Sequence, residues 1–458
     1  MTNNQAQTIA YATDTIGKLF LQTAVPIVII MMVNGLYNVV DAWFLGIYVG
    51  AEALAAVTLM FPFQMIIIAL SMTVSSGMSS ILARALGAKD RQKAEVSFTL
   101  AHLISTIIST LTILLFTLWG ADLVISMANG DALIENQSYS YMKILVWACP
   151  LMFYLTLHND ALRAEGYVKI MTLISLAGTA LNILFNYILI VQMDLGVEGS
   201  AYGTVGAQAL SFIVLLIFRH QQKKSLGLCS LTHTELSPII KSIFGLGIPS
   251  GLNFLGVGLV TIIVIYALQI WPPADYSTTI SAYGILTRVT TFTFLPLMGF
   301  AMATQTLVGH NFGAGHYSRS RDILMAAIKI AFIYCVSIEA LFFLFAADIG
   351  RLFVDDPKVI NDVTRLIPYM IIMFFSFGPM MIIAYYFQAI GSIAKAAILN
   401  LGRTYLFVIP LLFILPIYYG ETGVWSARPV AEIGMWLLTL WVLKSGKRHK
   451  LVQDASDG

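Results

Sequence analysis

Asp41 closes an apolar run that starts at Pro26 and reads PIVIIMMVNGLYNVVD. Asn34, Tyr37 and Asp41 fall at i, i+3 and i+7, so a helix puts them on one face. With Asn38 they form a candidate polar cavity surface. A carboxylate at membrane depth is costly unless it has a partner or a task. Proline inside a helix removes a backbone hydrogen bond and invites a bend. A titrating acid on a bendable helix is the chemistry of ion-coupled conformational change. Other polar groups could complete the site: Asn182 and Asn186 stand one turn apart, Asn159 and Asp160 end the apolar run before them, and Thr204 begins the one after. A carboxylate among neutral oxygens suits a proton or Na+, although such amides also serve as plain glue between membrane helices. Asp41 lies 23 residues after Lys18, roughly 35 Å along a helix. Hydropathy therefore places it near the outer interface, where an acid is cheap, and leaves the coupling and structural readings level.

The second half carries its own charges within apolar runs: Arg288, Glu339, Arg403, Arg428 and Glu432. Arg428 and Glu432 are spaced i, i+4 and are expected to pair with each other. An internal ion-pair cluster is the favoured reading over a substrate carboxylate. The chain shows no phosphate-binding loop, no metal-ligand spacing and no nucleophile constellation. No enzyme activity, cofactor, resident metal or nucleic-acid partner is expected. Cys149, Cys229 and Cys335 are too few and too scattered for a disulfide framework.

The elements that must position these groups are membrane helices. Of 458 residues, 58% are hydrophobic and 11% charged, with a mean hydropathy of +0.82. Apolar runs of about 20 residues recur throughout, and long runs without alternation exclude a barrel. Twelve spans are expected, from 16–40 to 422–443. The polar stretch 219–242 separates two halves, so the expected organisation is an N-terminal six-helix lobe at 1–218, a cytoplasmic linker at 219–242, a C-terminal lobe at 243–446 and a tail at 447–458. Lys and Arg gather in alternate loops, at 84–95, after the fourth span, in the linker and in the tail, which predicts that both termini are cytoplasmic. No cleavable signal peptide is expected. The halves read as repeats. An offset of 226 residues lays ALGAKDRQK (85–93) on NFGAGHYSR (311–319), and a small slip lays Gly196 and Gly199 on Gly420 and Gly423. Repeats of six spans keep one orientation, so the lobes should be related by a pseudo-twofold along the membrane normal, with a cavity between them. Abundant Met and aromatic residues suit bulky apolar cations, though they fill any membrane bundle.

Several fragments carry a family resemblance: PIVIIMMVNGLYNVVDAWFLG at 26–46, EALAAVTLMFPF at 52–63, ARALGAKDRQKAE at 83–95, NDALRAEG at 159–166, LNILFNYILI at 181–190, LGVEGSAYGT at 195–204 and GHNFGAG at 309–315. In this order they resemble the MATE family of multidrug and toxic-compound exporters, closest to its prokaryotic DinF-like branch. The resemblance implies two lobes in a V, and export of small organic compounds by alternating access against inward H+ or Na+. It also implies a monomer in the bacterial inner membrane. It makes Asp41 the first-helix acid, Pro26 the bending proline, and Asn159, Asn182 and Thr204 the network around the acid. One departure stands out: the family's second acid, on the fifth helix, reads Asn186 here. A single carboxylate takes one proton unaided and binds Na+ less strongly, which points to H+ ahead of Na+ at Asp41. A lipid-linked precursor flippase of the same superfamily is the alternative. Its cationic cavity would draw on Arg288, Arg403 and Arg428.

Overall fold

The computed structural model describes residues 15–128, 132–222, 225–231 and 236–456, with the side chains of 37–39, 42, 51, 54, 126, 128 and 445–456 outside the description. The expected cavity residues Tyr37 and Asn38 and the side chains of the tail therefore lie beyond it, as does part of the expected linker. The described chain is all helix, as an apolar backbone without water requires.

In the first half, α1 (Ile16–Phe44), α2 (Ala51–Gly87) and α3 (Arg91–Ala128) are followed by a bent pair, α4 (Ala132–Trp147) and α5 (Cys149–Ala164), then α6 (Val168–Asn186) and α7 (Gly196–Gln221). The second half repeats the plan: α8 (Leu236–Ile270), α9 (Tyr276–Gly313), α10 (Tyr317–Leu344), the short α11 (Ala346–Arg351), a bent pair α12 (Pro357–Ile371) and α13 (Phe374–Ala389), α14 (Ile393–Leu401), α15 (Ile409–Tyr419) and α16 (Glu421–Ser456). Among the described residues, nine apolar stretches are long enough to span a bilayer, and the two bent pairs bring these to 11. The 36-residue α16 supplies the twelfth; Arg428 and Glu432 lower its hydropathy without shortening it.

Two spans expected to be continuous are broken at equivalent places. The fourth bends by 48° and the tenth by 42°. Pro150 opens α5, so its missing N–H falls where a helix start has none to pair. At the other break, Met373 takes a left-handed φ of +73°, and the freed Phe375 N–H donates to the Glu339 carboxylate at 2.7 Å. Pro26 lies within α1, which runs unbroken across it.

The repeat is visible in the backbone. Gly196 and Gly420 adopt φ of +55° and +56°, a region open to glycine at little cost. A Cβ on Gly87 would lie 2.1 Å from the His310 carbonyl oxygen, and one on Gly313 would lie 2.0 Å from the Arg84 carbonyl oxygen. Both pairs sit at the same offset of 226, so this is one close approach seen twice across a twofold axis between α2 and α9. Only hydrogen at these Cα atoms lets the helices approach so closely. Phe20, Ala24 and Ile27 of α1 join Leu297, Ala301 and Leu307 of α9 in one buried cluster, so the core crosses from lobe to lobe.

Candidate functional site

Three helices converge on Asp41. The carboxylate lies near the end of α1, and a π-helical turn, Leu45–Val49, follows that helix. Asn182 and Asn186 occupy the last turn of α6, where a second π-helical stretch begins at Tyr187. Ser200 and Thr204, one turn apart on α7, face them. Oδ1 of Asp41 accepts from Asn186 Nδ2 at 2.8 Å and from the Ser200 hydroxyl at 2.9 Å. Asn186 Nδ2 also reaches Asn182 Oδ1 at 3.3 Å, and Asn182 Nδ2 donates to Thr204 Oγ1 at 3.2 Å. Asp41, Asn182, Asn186 and Ser200 are all buried. α6 and α7 enclose Asp41, because Gly203 lets them close. A Cβ at Gly203 would lie 2.3 Å from Asn186 Oδ1.

Sequence reasoning missed Ser200. Its signal was its position one turn before Thr204, which puts both hydroxyls on one helical face. Asn159 does not join this network: its Oδ1 is buried on α5 without a hydrogen-bond partner among the described residues. Asn34 is exposed on α1. No group of three or more His, Cys, Asp or Glu that could hold a metal occurs among the described residues.

The second-lobe charges are arranged differently from their spacing. Glu432 does not pair with Arg428. It meets Arg403, whose Nε lies 2.8 Å from Oε1 and whose Nη2 donates to Oε2 at 3.3 Å. The Ser376 hydroxyl donates to Oε2 at 3.4 Å, and the guanidinium lies over the Phe377 ring at 3.8 Å. The π-helical stretch Gly402–Val408 carries Arg403 toward α16. Arg428 is exposed, its nearest polar contact the Met370 sulfur at 4.0 Å. Glu339 caps the start of α13 and is therefore committed to the break in the tenth span.

A second ion pair sits where the chain leaves the first lobe. Arg219 Nη2 is 3.2 Å from Glu165 Oε1, which also accepts the Leu226 N–H at 2.7 Å. Burial pushes the Glu165 carboxyl above its ordinary value, and the neighbouring Arg219 pulls it back. These contacts strap residues 225–229 onto α3, α5 and α7, with the Cys229 N–H on Thr99 at 3.0 Å.

The chain is similar to known proteins over most of its length. The family model described as MatE matches residues 26–188 and 249–414. A probable multidrug resistance protein, YoeA of Bacillus subtilis (strain 168), is 25% identical, with 90% of each chain covered. The multidrug export protein MepA of Staphylococcus haemolyticus (strain JCSC1435) is 24% identical, with 98% of each covered. A solved structure described as MATE in the bent conformation superposes with a TM-score of 0.87 over 100% of both chains, at 24% identity.

Proposed function

The chain belongs to the MatE family of membrane transporters, and from that premise we propose that it is a secondary antiporter. It exports organic, cationic or amphipathic drug-like compounds in exchange for inward H+. The observation that carries this reading is the buried carboxylate of Asp41, which among the described residues lacks a cationic partner in its hydrogen-bond network and has two neutral donors on one oxygen. Na+ would need amide oxygens turned toward the carboxylate, whereas Asn186 presents its N–H there. That orientation and the missing second acid support H+ over Na+.

Protonation removes the charge that holds Asn186 and Ser200 to α1. The outer half of α1 is then free to move, and Pro26 provides the point where a missing hydrogen bond lets it bend. The relatives named as multidrug export proteins support the substrate class, and the similar structure described as bent supports the motion. The end bearing the Lys/Arg-rich loops is read as cytoplasmic in a bacterial inner membrane, with the lobes at 1–218 and 243–446 acting as the rocking units. The flippase alternative loses Arg403, which Glu432 neutralises.

The test is efflux of a cationic dye from proteoliposomes under an imposed pH gradient or an imposed Na+ gradient. The pH gradient alone should drive efflux, and Asp41→Asn should abolish that driving while still binding dye. Efflux driven by Na+ alone, or an Asp41→Asn protein as fast as the parent, would overturn the assignment.

A further inference from the structure

Arg84 and His310 are basic side chains at the same offset of 226, on α2 and α9, and each crosses to the opposite lobe. Arg84 Nη1 donates to the carbonyl oxygens of Gln388 at 3.2 Å and Ala389 at 2.7 Å, at the end of α13. His310 Nε2 lies 2.6 Å from the carbonyl oxygen of Ala164, the last residue of α5. The last carbonyls of a helix have no partner within it and form the negative end of its dipole, so each contact caps a helix end. The two capped ends are themselves equivalent. Gly166 and Gly391 have φ of +89° and +80°, and each closes its helix with the same backbone bond, Tyr167 N–H to Leu162 at 2.8 Å and Ser392 N–H to Phe387 at 2.9 Å. At Gly391 a Cβ would lie 3.0 Å from Arg84 Cζ, so glycine also leaves the guanidinium its seat.

Beneath the caps lies a second layer. Arg163 of α5 donates to the Met302 carbonyl and to the Thr306 hydroxyl, each at 2.9 Å, and reaches back to Ser79 at 3.0 Å. Asp160 holds Arg163 in place at 2.8 Å, and itself accepts from the Ser75 hydroxyl. Gln388 of α13 donates to Ser76 at 2.9 Å across the interface and to Ser250 at 3.1 Å within its own lobe. These two layers hold a dense set of hydrogen bonds between the lobes, at the end bearing the basic loops.

We propose that Arg84 and His310 form a reciprocal latch: each lobe caps a helix end of the other, and opening at the basic end breaks both caps together. A polar seal suits this task better than an apolar one. When the lobes part, water can satisfy the released carbonyls and the guanidinium, so neither state strands a buried polar group. The inference rests on the alternating-access reading only in naming which end opens. It does not depend on the coupling ion.

The test uses the full-length transporter with its three cysteines replaced and spin labels at Lys93→Cys and Tyr317→Cys, both exposed on the basic end. Dipolar distance distributions are recorded for the parent, Arg84→Ala, His310→Ala, the double variant and Arg84→Lys. A longer, basic-end-open component should grow in both single Ala variants. For Arg84→Ala the open-to-closed ratio should rise about 10-fold or more, the worth of a charge-assisted hydrogen bond. Arg84→Lys should restore the parent distribution. Unchanged distributions in variants that remain monodisperse would overturn the latch. So would an effect of Arg84→Ala with none from His310→Ala, or one that Lys fails to rescue. Because the readout is a distance, loss of transport through a wrong coupling assignment leaves it unaffected.

Discussion

Replacing Glu432 by Gln removes one charge from the Arg403–Glu432 pair and keeps the side chain's shape. At 2.8 Å and an effective dielectric of 20, the gross attraction is about 6 kcal/mol. Desolvation of both ions offsets much of it, and breaking a buried pair from one side costs about 3–5 kcal/mol because the remaining ion is stranded. The side chains are 17% and 7% exposed, so water gives Arg403 limited relief, although the Phe377 ring still faces it. Glu432→Gln and Arg403→Met should each lower stability by roughly 3 kcal/mol or more. The double variant Arg403→Met with Glu432→Leu should come back to within about 1 kcal/mol of the parent, since matched apolar side chains often replace a buried pair without loss. Equilibrium unfolding in mixed micelles gives the three values and the coupling between the sites. Single variants as stable as the parent would refute the argument, as would a double variant as weak as the sum of the singles. If the double folds but no longer moves dye under a pH gradient, the pair serves transport in addition to its structural role.

Gly203→Ala places a methyl 2.3 Å from Asn186 Oδ1; it should cost about 1–3 kcal/mol and cut proton-driven dye efflux, and unchanged efflux would remove Asn186 from the site. Gly247→Ala puts a Cβ 1.7 Å from the Thr73 carbonyl oxygen, where backbone cannot yield, and should cost at least about 3 kcal/mol. Gly258→Ala, with nothing within 4 Å, should be neutral or slightly stabilising; thermal unfolding of the two proteins side by side checks the contrast. Arg219→Met leaves Glu165 buried without its cation. Burial already raises that carboxyl, and a raised folded-state value means stability is held at low pH and lost as pH rises through it. The variant should therefore fall further below the parent at pH 8 than at pH 5, and a constant gap between melting curves across that range would contradict the pairing.

Much of the fold was legible because a bilayer leaves an apolar chain few choices. Twenty-residue runs had to be helices, and the matched Gly-Ala pairs at Gly87 and Gly313 announced a repeat whose close approach the structure shows twice. Helical spacing put Asn182 beside Asn186, and the two amides do share a hydrogen bond. Spacing misled at Arg428 and Glu432, where one face of one helix was read as a contact. Glu432 instead points to Arg403 on another helix, 29 residues away in sequence. Asn159, which family resemblance assigned to the acid's network, lies apart from it on α5, and Ser200 went unnoticed. The breaks at Ala148 and Met373 were invisible to hydropathy, which reports how apolar a segment is and not where its backbone bends.

By itself, then, the sequence determined the class, the span count, the repeat and the candidate acid on the first helix, all properties of local composition and spacing. The tertiary structure decided what Asp41 touches, whom Glu432 pairs with, and where polar side chains cross between the lobes. Those depend on how helices rotate and how closely they approach. That in turn is decided by glycines such as Gly203 and Gly247, whose missing Cβ matters only once another helix lies against it.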